Sequence, residues 1–594
     1  MTFGANLLVD DHYSIANNYF SDLLFETGQF DFVSTPDVTL TDGWITRMAP
    51  GASYTYAFGR LRSKLGPSKP RPYQFFWRGM AMHDLEITIV QRGVVATPEW
   101  KGLVPVNDPP PVTLDPSLPQ FIIIRNPAAA EWVGEFRFGI AEDDKFTSPA
   151  FRAWSAAQGL TGARTMDEQR SKYAEQDHKI RDIAYPTMHG DWRGDFAGIT
   201  VSQSLRMAQE CAWQHIWLSV PPGMSPAVLV AALDDYSGCP AVTLEHGGNE
   251  IWNRGASQKC GTYYLNRAHQ AYGTFHGTPG GILDYAQPGW VLEDDAMAYT
   301  PSGQMWPDKL KQQARDAGRV DPILLSNEAA YAMAMYDASQ ALAVMLVNWQ
   351  WDAAERCFVN KHGVRIYNTM GGQNGNARFV ENIVKVFAEA LVPQDWQTVQ
   401  DYFTGFAFAP YLAYQYVTQA LPTHARAPND PTNAEFWGAA EAGWQRALGL
   451  MLGNVVAQPA GWRFGVYEMG LSFIDGRDGR PADWWTAKRF SVDGDLMNIK
   501  MAADLSSERP WATMVYGMGI TGEEFKAGQT YGQGFWSILP SWDSQSDLLQ
   551  KMIAAYDAPV IDPPVEPPVD PQPGERAVRF ARIRDDLDWL EANG

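Results

Sequence analysis

Two glutamates stand at the ends of two short apolar runs in this chain. The first run, Val242-Thr243-Leu244-Glu245-His246-Gly247-Gly248-Asn249-Glu250, climbs through β-branched and apolar residues into two glycines and then delivers Asn249 and Glu250. The second, Arg463-Phe464-Gly465-Val466-Tyr467-Glu468, ends in another carboxylate. Two carboxylates at strand ends are what retaining glycoside hydrolysis needs: one protonates the leaving oxygen and the other attacks the anomeric carbon. In that reading Glu250 is the general acid and base, and Glu468 is the nucleophile. The Asn249 amide is placed to grip a sugar 2-hydroxyl, a contact that strengthens in an oxocarbenium-like transition state. The structural alternatives are an ion-paired strand-end glutamate at each position and a turn-stabilising asparagine.

Other side chains fit around this pair. Arg164 would keep the nucleophile ionised by pairing with it, or form an ordinary ion pair of the fold. Tyr467 packs in the core or donates a hydrogen bond. Tyr411 ends a predicted strand and would line a pocket. Trp252 and Trp536 are candidate sugar platforms, because an indole offers a broad apolar face with a polar handle. The chain holds 23 Trp, so most of them belong to the core. Glu245 lies five residues before Glu250, and strand alternation places the two on opposite faces unless a bulge intervenes, so Glu245 is left out of the catalytic pair.

No metal site is predicted. His189 and Asp191 are close, and His215 and His246 share rough strand order, but no H-x-x-x-H pattern appears. Gly371-Gly372-Gln373-Asn374-Gly375 lacks the Lys-Ser/Thr of a phosphate loop and reads as a strand-end turn. Four cysteines without C-x-x-C spacing read as buried thiols. No cofactor is implied.

These groups need a scaffold. Phe3–Val9, Leu160–Met166, His215–Val220, Ala241–Glu245, Arg365–Thr369, Phe406–Ala409, Phe464–Glu468 and Ala512–Tyr516 read as strands, with helical patterns such as Asn327–Arg356 and Ala377–Ala390 between them. Eight strands alternating with helices predict an α/β fold, a (β/α)8 TIM barrel with its site at the C-terminal strand ends. Glu250 and Glu468 then fall on the fourth and seventh strands. A doubly wound sheet is the rival. Within 35–150 the texture differs: Asp84–Arg92 alternates with period two, and Phe121–Ile124 and Trp132–Phe138 read as further strands between Pro-rich turns. That segment predicts an inserted N-terminal antiparallel β-sandwich.

The division expected is therefore 1–34 for the first barrel strand and its loop, 35–150 for the insert and 151–556 for the rest of the barrel. A Pro-rich linker at 557–575 follows, then a C-terminal helix at 576–594. The repeat Ile561-Asp-Pro-Pro, Val565-Glu-Pro-Pro, Val569-Asp-Pro predicts an extended polyproline spacer. Phe580, Ile583, Leu587 and Leu590 fall at helical spacing after it. That stripe would dock on its own barrel, on sibling subunits or on a virion protein.

Charge and composition narrow the partners. A net charge of −21 argues against nucleic acid. The sequence contains no run of 18 apolar residues, so membrane insertion is not predicted. The stretch Met1–Asn6 lacks the basic and apolar regions of a secretory signal. The partner expected is a glycan, as substrate or as receptor.

The motifs resemble clan A glycoside hydrolases, whose acid lies on strand four and nucleophile on strand seven. More closely, the chain is similar to a group of large bacterial and phage proteins known as sugar hydrolase-like or cellulose-binding. The likeness spans roughly 1–545 and rests on Gly4-Ala5-Asn6-Leu7, Arg164-Thr165-Met166-Asp167, Asn249-Glu250-Ile251-Trp252-Asn253, Ala409-Pro410-Tyr411 and Tyr467-Glu468-Met469-Gly470, in that order. Two departures flank the proposed pair. Glu245-His-Gly-Gly-Asn-Glu250 is one residue longer than the group's Glu-x-x-Asn-Glu, which predicts a bulge, and Met469 stands where the group has Gly. Residues 254–323 form an insertion without counterpart. The resemblance implies a retaining hydrolase of a polysaccharide or surface glycan, in a phage tail or virion freed by lysis, or else in the cytoplasm. The alternative is a non-catalytic glycan-binding or structural virion protein on the same fold, since a fold does not fix a function.

Overall fold

The computed structural model describes residues 2–6, 33–34, 37–41, 44–58, 71–78, 85–92, 96–104, 112–114, 120–140, 147, 149–165, 201–220, 224–248, 251, 264, 322–372, 379–381, 383–384, 393–473, 480, 482–515 and 546–558. The segments 557–575 and 576–594 therefore lie almost wholly outside the described residues, as do Asn249, Glu250, Trp252 and Trp536.

Eight parallel strands build the centre. They are β1 (Thr2–Asn6), β2 (Gly162–Arg164), β3 (His215–Ser219), β4 (Ala241–Glu245), β5 (Arg365–Gly372), β6 (Gly405–Phe408), β7 (Gly465–Val466) and β8 (Ala512–Val515). The ladder runs β4-β3-β2-β1-β8-β7-β6-β5, and β4 pairs in turn with β5, so the strands form a ring. Every neighbouring pair is parallel. This is the barrel expected from the strand–helix alternation, and the ring rules out the doubly wound sheet. The strands read as continuous β-branched and apolar runs because both of their faces are buried.

The barrel interior is filled with rings. Tyr367 and Trp511 stack at 5.8 Å with planes 4° apart, Trp217 stacks on Trp511 at 6.1 Å, and His215 lies on Tyr367 at 6.0 Å. Gly465 admits this stack, because a Cβ there would lie 2.7 Å from the Trp511 ring.

Helices pack outside. Asn433–Val456 opens with a capping box, the Thr432 side chain accepting from the Glu435 N–H while Glu435 reaches back. Pro322–Asn348 packs on the helices Pro226–Asp234 and Pro393–Tyr402, and its Tyr331 hydroxyl donates to the Gly371 carbonyl at 2.7 Å. Its stretch Ala330–Asn348 is long and apolar enough to cross a bilayer, but 61% of the qualifying window is buried inside the fold, as in a core helix. The expected helix Asn327–Arg356 stops early. Gln350–Asp352 and Cys357–Val359 instead form an antiparallel ribbon that adds to β5. Asp352 holds the turn of that ribbon, its carboxylate accepting from the Ala354 and Glu355 N–H groups.

Between β1 and β2 the chain forms two five-stranded antiparallel sheets. One holds Val33–Ser34, Ser53–Phe58, Gln120–Arg125, Leu85–Arg92 and Ala96–Val104; the other holds Val38–Thr41, Trp44–Met48, Trp132–Ile140, Arg71–Arg78 and Val112–Leu114. Leu85 and Ile87 are buried while Glu86 and Thr88 are not, which is the period-two signal seen in the sequence. Asn126 joins the sheets, its amide donating to the carbonyls of Met48, Ala49 and Ala130.

Candidate active site

Five strands deliver side chains to one buried cluster. Arg164 is the last residue of β2 and Glu245 the last of β4. Trp217 and Ser219 come from β3, Tyr411 from just past β6 and Glu468 from just past β7. Apart from Trp217, which lies midway along β3, all belong to the C-terminal ends of the strands, where barrel enzymes carry their chemistry.

Arg164 is the hub. It is wholly buried and donates through Nε at 3.0 Å and Nη2 at 2.7 Å to Glu245 Oε2. Its Nη1 donates at 2.6 Å to Glu468 Oε1. The Tyr411 hydroxyl donates to the other Glu468 oxygen. Trp217 Nε1 and Ser219 Oγ each donate to Glu245 Oε2 at 3.1 Å. The guanidinium also lies 4.8 Å from the Tyr467 ring centroid. Burial alone would pull the Arg164 guanidinium down, but the adjacent Glu245 and Glu468 carboxylates outweigh it and raise it above its ordinary value. Arg164 is therefore a fixed cation in a site that excludes water.

Glu468 is 2% exposed, held on one side by a cation and on the other by a phenol. Tyr467 before it is buried, and its N–H donates to the Phe408 carbonyl at 3.0 Å, which ties the start of this segment to β6. Of the residues singled out in the sequence, Arg164, Tyr411, Tyr467 and Glu468 therefore meet. Asn249, Glu250, Trp252 and Trp536 are outside the described residues, so the separation of the two proposed catalytic carboxylates is not defined. Glu245, Trp217 and Ser219 were not selected by sequence. Their signal was a polar group closing an otherwise apolar strand, in Trp217-Leu218-Ser219 and Thr243-Leu244-Glu245.

The longer approach to Glu250 is a turn, not the expected bulge. β4 pairs with β5 in unbroken register through Glu245 and Thr369. Gly247 and Gly248 then adopt φ of +86° and +77°, left-handed conformations that glycine takes without steric cost. A Cβ on Gly247 would meet Ile251 Cδ1 at 2.5 Å. Strand alternation thus ends at Glu245, and counting five residues from it assigns no face to Glu250.

Two histidines beside this region are neutral. His215 shares a hydrogen bond with Thr243 Oγ1 at 2.8 Å, and His246 donates to Asn368 Oδ1 at 2.8 Å. Burial pushes His215 down to about 3 and His246 down to about 4. The unfolded chain takes up these protons near pH 6.5, whereas the folded chain resists until its lower values are reached. Their contribution to stability is thus complete above about pH 6.5 and is lost as pH falls toward 4 and then 3. Each should add a slope of roughly 1.4 kcal/mol per pH unit in that window. Urea unfolding followed from pH 7.5 downward should show a shallower slope for His246→Asn than for wild type; equal slopes would rule this contribution out. Among the described residues no group of three His, Cys, Asp or Glu could hold a metal ion.

No family profile matches the chain, and no curated protein matches it. Solved structures similar to it include a ruminal GH26 endo-β-1,4-mannanase, at 9% identity over 93% of this chain and 96% of that one, with a TM-score of 0.17. A Podospora anserina GH26-CBM35 β-(1,4)-mannanase aligns at 9% identity over 89% and 96%, with a TM-score of 0.15. An exo-β-agarase aligns at 8% identity over 88% and 98%, with a TM-score of 0.26. The barrel assignment rests on the chain's own strand pairings.

Proposed function

We propose that this protein is a retaining glycoside hydrolase acting on a polysaccharide or surface glycan. The observation that carries the reading is Glu468, a buried carboxylate at the mouth of a parallel barrel, gripped by Arg164 from β2 and by the Tyr411 hydroxyl. An adjacent cation favours the carboxylate over the acid, and a nucleophile must be a carboxylate. Two fixed donors also hold it in one orientation, which keeps the attack geometry organised before substrate binds.

In the first step a Glu468 oxygen bonds to the anomeric carbon. The bond to the leaving oxygen breaks, and that oxygen takes its proton from Glu250. In the second step water attacks the same carbon, Glu250 accepts the water proton, and the ester bond breaks to return Glu468 as a carboxylate. Asn249 holds the 2-hydroxyl, and Trp252 and Trp536 offer sugar platforms. The two antiparallel sheets before β2 act, in this reading, as a β-sandwich beside the barrel.

The decisive experiment is a screen of bacterial surface polysaccharides and plant glucans and mannans, read by reducing ends, with the anomer of the first product followed by proton NMR. Retention of configuration is expected. Inversion would exclude Glu468 as nucleophile, and binding without cleavage would make the protein a glycan-binding module.

The setting we propose is a phage tail or virion, with 557–575 as tether and 576–594 as docking helix. The spacing of the prolines and of Phe580, Ile583, Leu587 and Leu590 supports it. The helix Leu548–Asp557 belongs to the barrel. Tyr556 packs on Phe3 at 4.9 Å and exchanges a hydrogen bond with Thr513, and Ser506 donates to its carbonyl. Truncation after Ala558 is therefore expected to leave folding and hydrolysis unchanged and to remove assembly. Truncation after Ser546 should destabilise the barrel, as circular dichroism melting would show. Loss of activity in the shorter deletion would refute the tether.

A further inference from the structure

One barrel helix carries an apolar row on its outer face. The helix Val492–Ser507 is capped by Ser491, whose hydroxyl accepts from the Gly494 N–H, and it buries Met497, Met501 and Leu505. Its opposite face runs Val492, Leu496, Ile499, Ala503 and Ser507 at helical spacing and carries no charge. Val492 is 77% exposed and Leu496 58%. A surface helix ordinarily turns its charged face to water. Here the inner row already supplies the core contact, and the outer row is apolar on a chain with a net charge of −21.

Taking 557–575 as the tether and 576–594 as the docking helix, we propose that this outer row is the docking surface and that its occupant is the C-terminal segment of a second copy of the chain, the two copies exchanging segments. The two rows match in length. Phe580 to Leu590 is ten residue steps and Val492 to Ala503 is eleven, about 15–17 Å of helix in each case. Laid parallel, their charges match as well. Arg576 and Arg579 stand beside Phe580, where Asp493 and Asp495 stand beside Val492 and Leu496. Asp586 and Asp588 flank Leu587, where Lys500 follows Ile499. Packing the rows together removes both from water, and a helix of this length is marginal without such a surface.

The length of the spacer favours a neighbour over the segment's own barrel. Ser506 donates to the Tyr556 carbonyl, so the chain leaves the barrel beside the C-terminal end of Val492–Ser507. From there the row extends at most about 22 Å along the helix. Seven of the fifteen residues 559–573 are proline. Extended at ~3.1 Å per residue, they span about 45 Å and resist folding back. Linked docking is strongest where the length of the linker matches the span, and here a stiff linker is about twice too long. The same length reaches the row on an adjacent copy. Exchange between two copies is reciprocal, so a dimer carries the contact twice, and the second forms within the pair once the first is made.

Sedimentation of the full chain tests this. Wild type is expected at twice the chain mass. A face variant, Val492→Glu with Leu496→Glu, and a segment variant, Phe580→Glu with Leu587→Glu, are each expected at the chain mass, with circular dichroism unchanged. Mixed in equal amounts, the two variants should form a heterodimer, because the intact segment of the first fits the intact face of the second. With one contact in place of two, it should be weaker than the wild-type dimer by roughly 100-fold or more. A monomeric wild type, which docking on the segment's own barrel would give, overturns the exchange and leaves the tether to be judged by truncation after Ala558. A dimer that persists in either variant places the contact elsewhere and overturns the proposal, as does a mixture that stays monomeric at the highest attainable concentration. None of these outcomes bears on the glycan screen, which judges the hydrolase reading alone.

Discussion

Glu468→Gln is expected to remove glycan hydrolysis by at least roughly three orders of magnitude while leaving the barrel folded. The amide is nearly isosteric with the carboxylate but a far weaker nucleophile. Folding should survive because Arg164 keeps its contacts with Glu245 at 2.7 and 3.0 Å, so no buried cation is left unpaired. The amide oxygen can still accept from Arg164 Nη1. The measurement is kcat on whichever glycan the wild type cleaves, with circular dichroism as the folding control. A second arm uses Glu468→Ala with added azide, which occupies the emptied space and should restore turnover as a glycosyl azide of inverted configuration. Wild-type rates in Glu468→Gln would remove Glu468 from the chemistry altogether.

Arg164→Met is expected to cost about 3–5 kcal/mol of stability, because it leaves two carboxylates buried without their cation. Arg164→Lys should fall between it and wild type, since a single ammonium cannot reproduce a fork on one carboxylate and a third contact on another. Replacing Arg164, Glu245 and Glu468 together by apolar residues of similar volume should recover most of the loss, because no uncompensated charge remains. Urea unfolding of the set reads all three. If Arg164→Met is as stable as wild type, the cluster is not the closed ionic network its distances describe.

Much of the architecture was legible in the chain. Ala241–Glu245 is found as read, and seven other barrel strands overlap their expected spans, because a strand buried on both faces must be a short, nearly unbroken apolar run. The period-two pattern at Leu85–Arg92 was equally local. The helix expected to run to Arg356 ends at Asn348 instead, and the residues beyond it pair as a ribbon on β5 whose turn Asp352 holds.

The site divides along the same line. Residue type and strand-end position marked Arg164, Tyr411, Tyr467 and Glu468, because a polar group that closes an apolar run sits where a buried strand emerges at the barrel mouth. Sequence offered the pairing of Arg164 with Glu468 as one of two readings, but it could not supply the contact of Arg164 with Glu245. Arg164 and Glu468 are 304 residues apart, and Arg164 and Glu245 are 81 apart, so their meeting depends on the ring closing between β4 and β5 and on the order of its strands. Glu245 was set aside by counting along a strand as though it continued. The fold instead stops that strand at Glu245 and turns through Gly247 and Gly248. Chain-local chemistry decided where strands lie and which residues crown them. Only the closed barrel decided that one arginine would hold two carboxylates, because pairing of charges so distant in sequence is a property of the assembled ring and of the water it excludes.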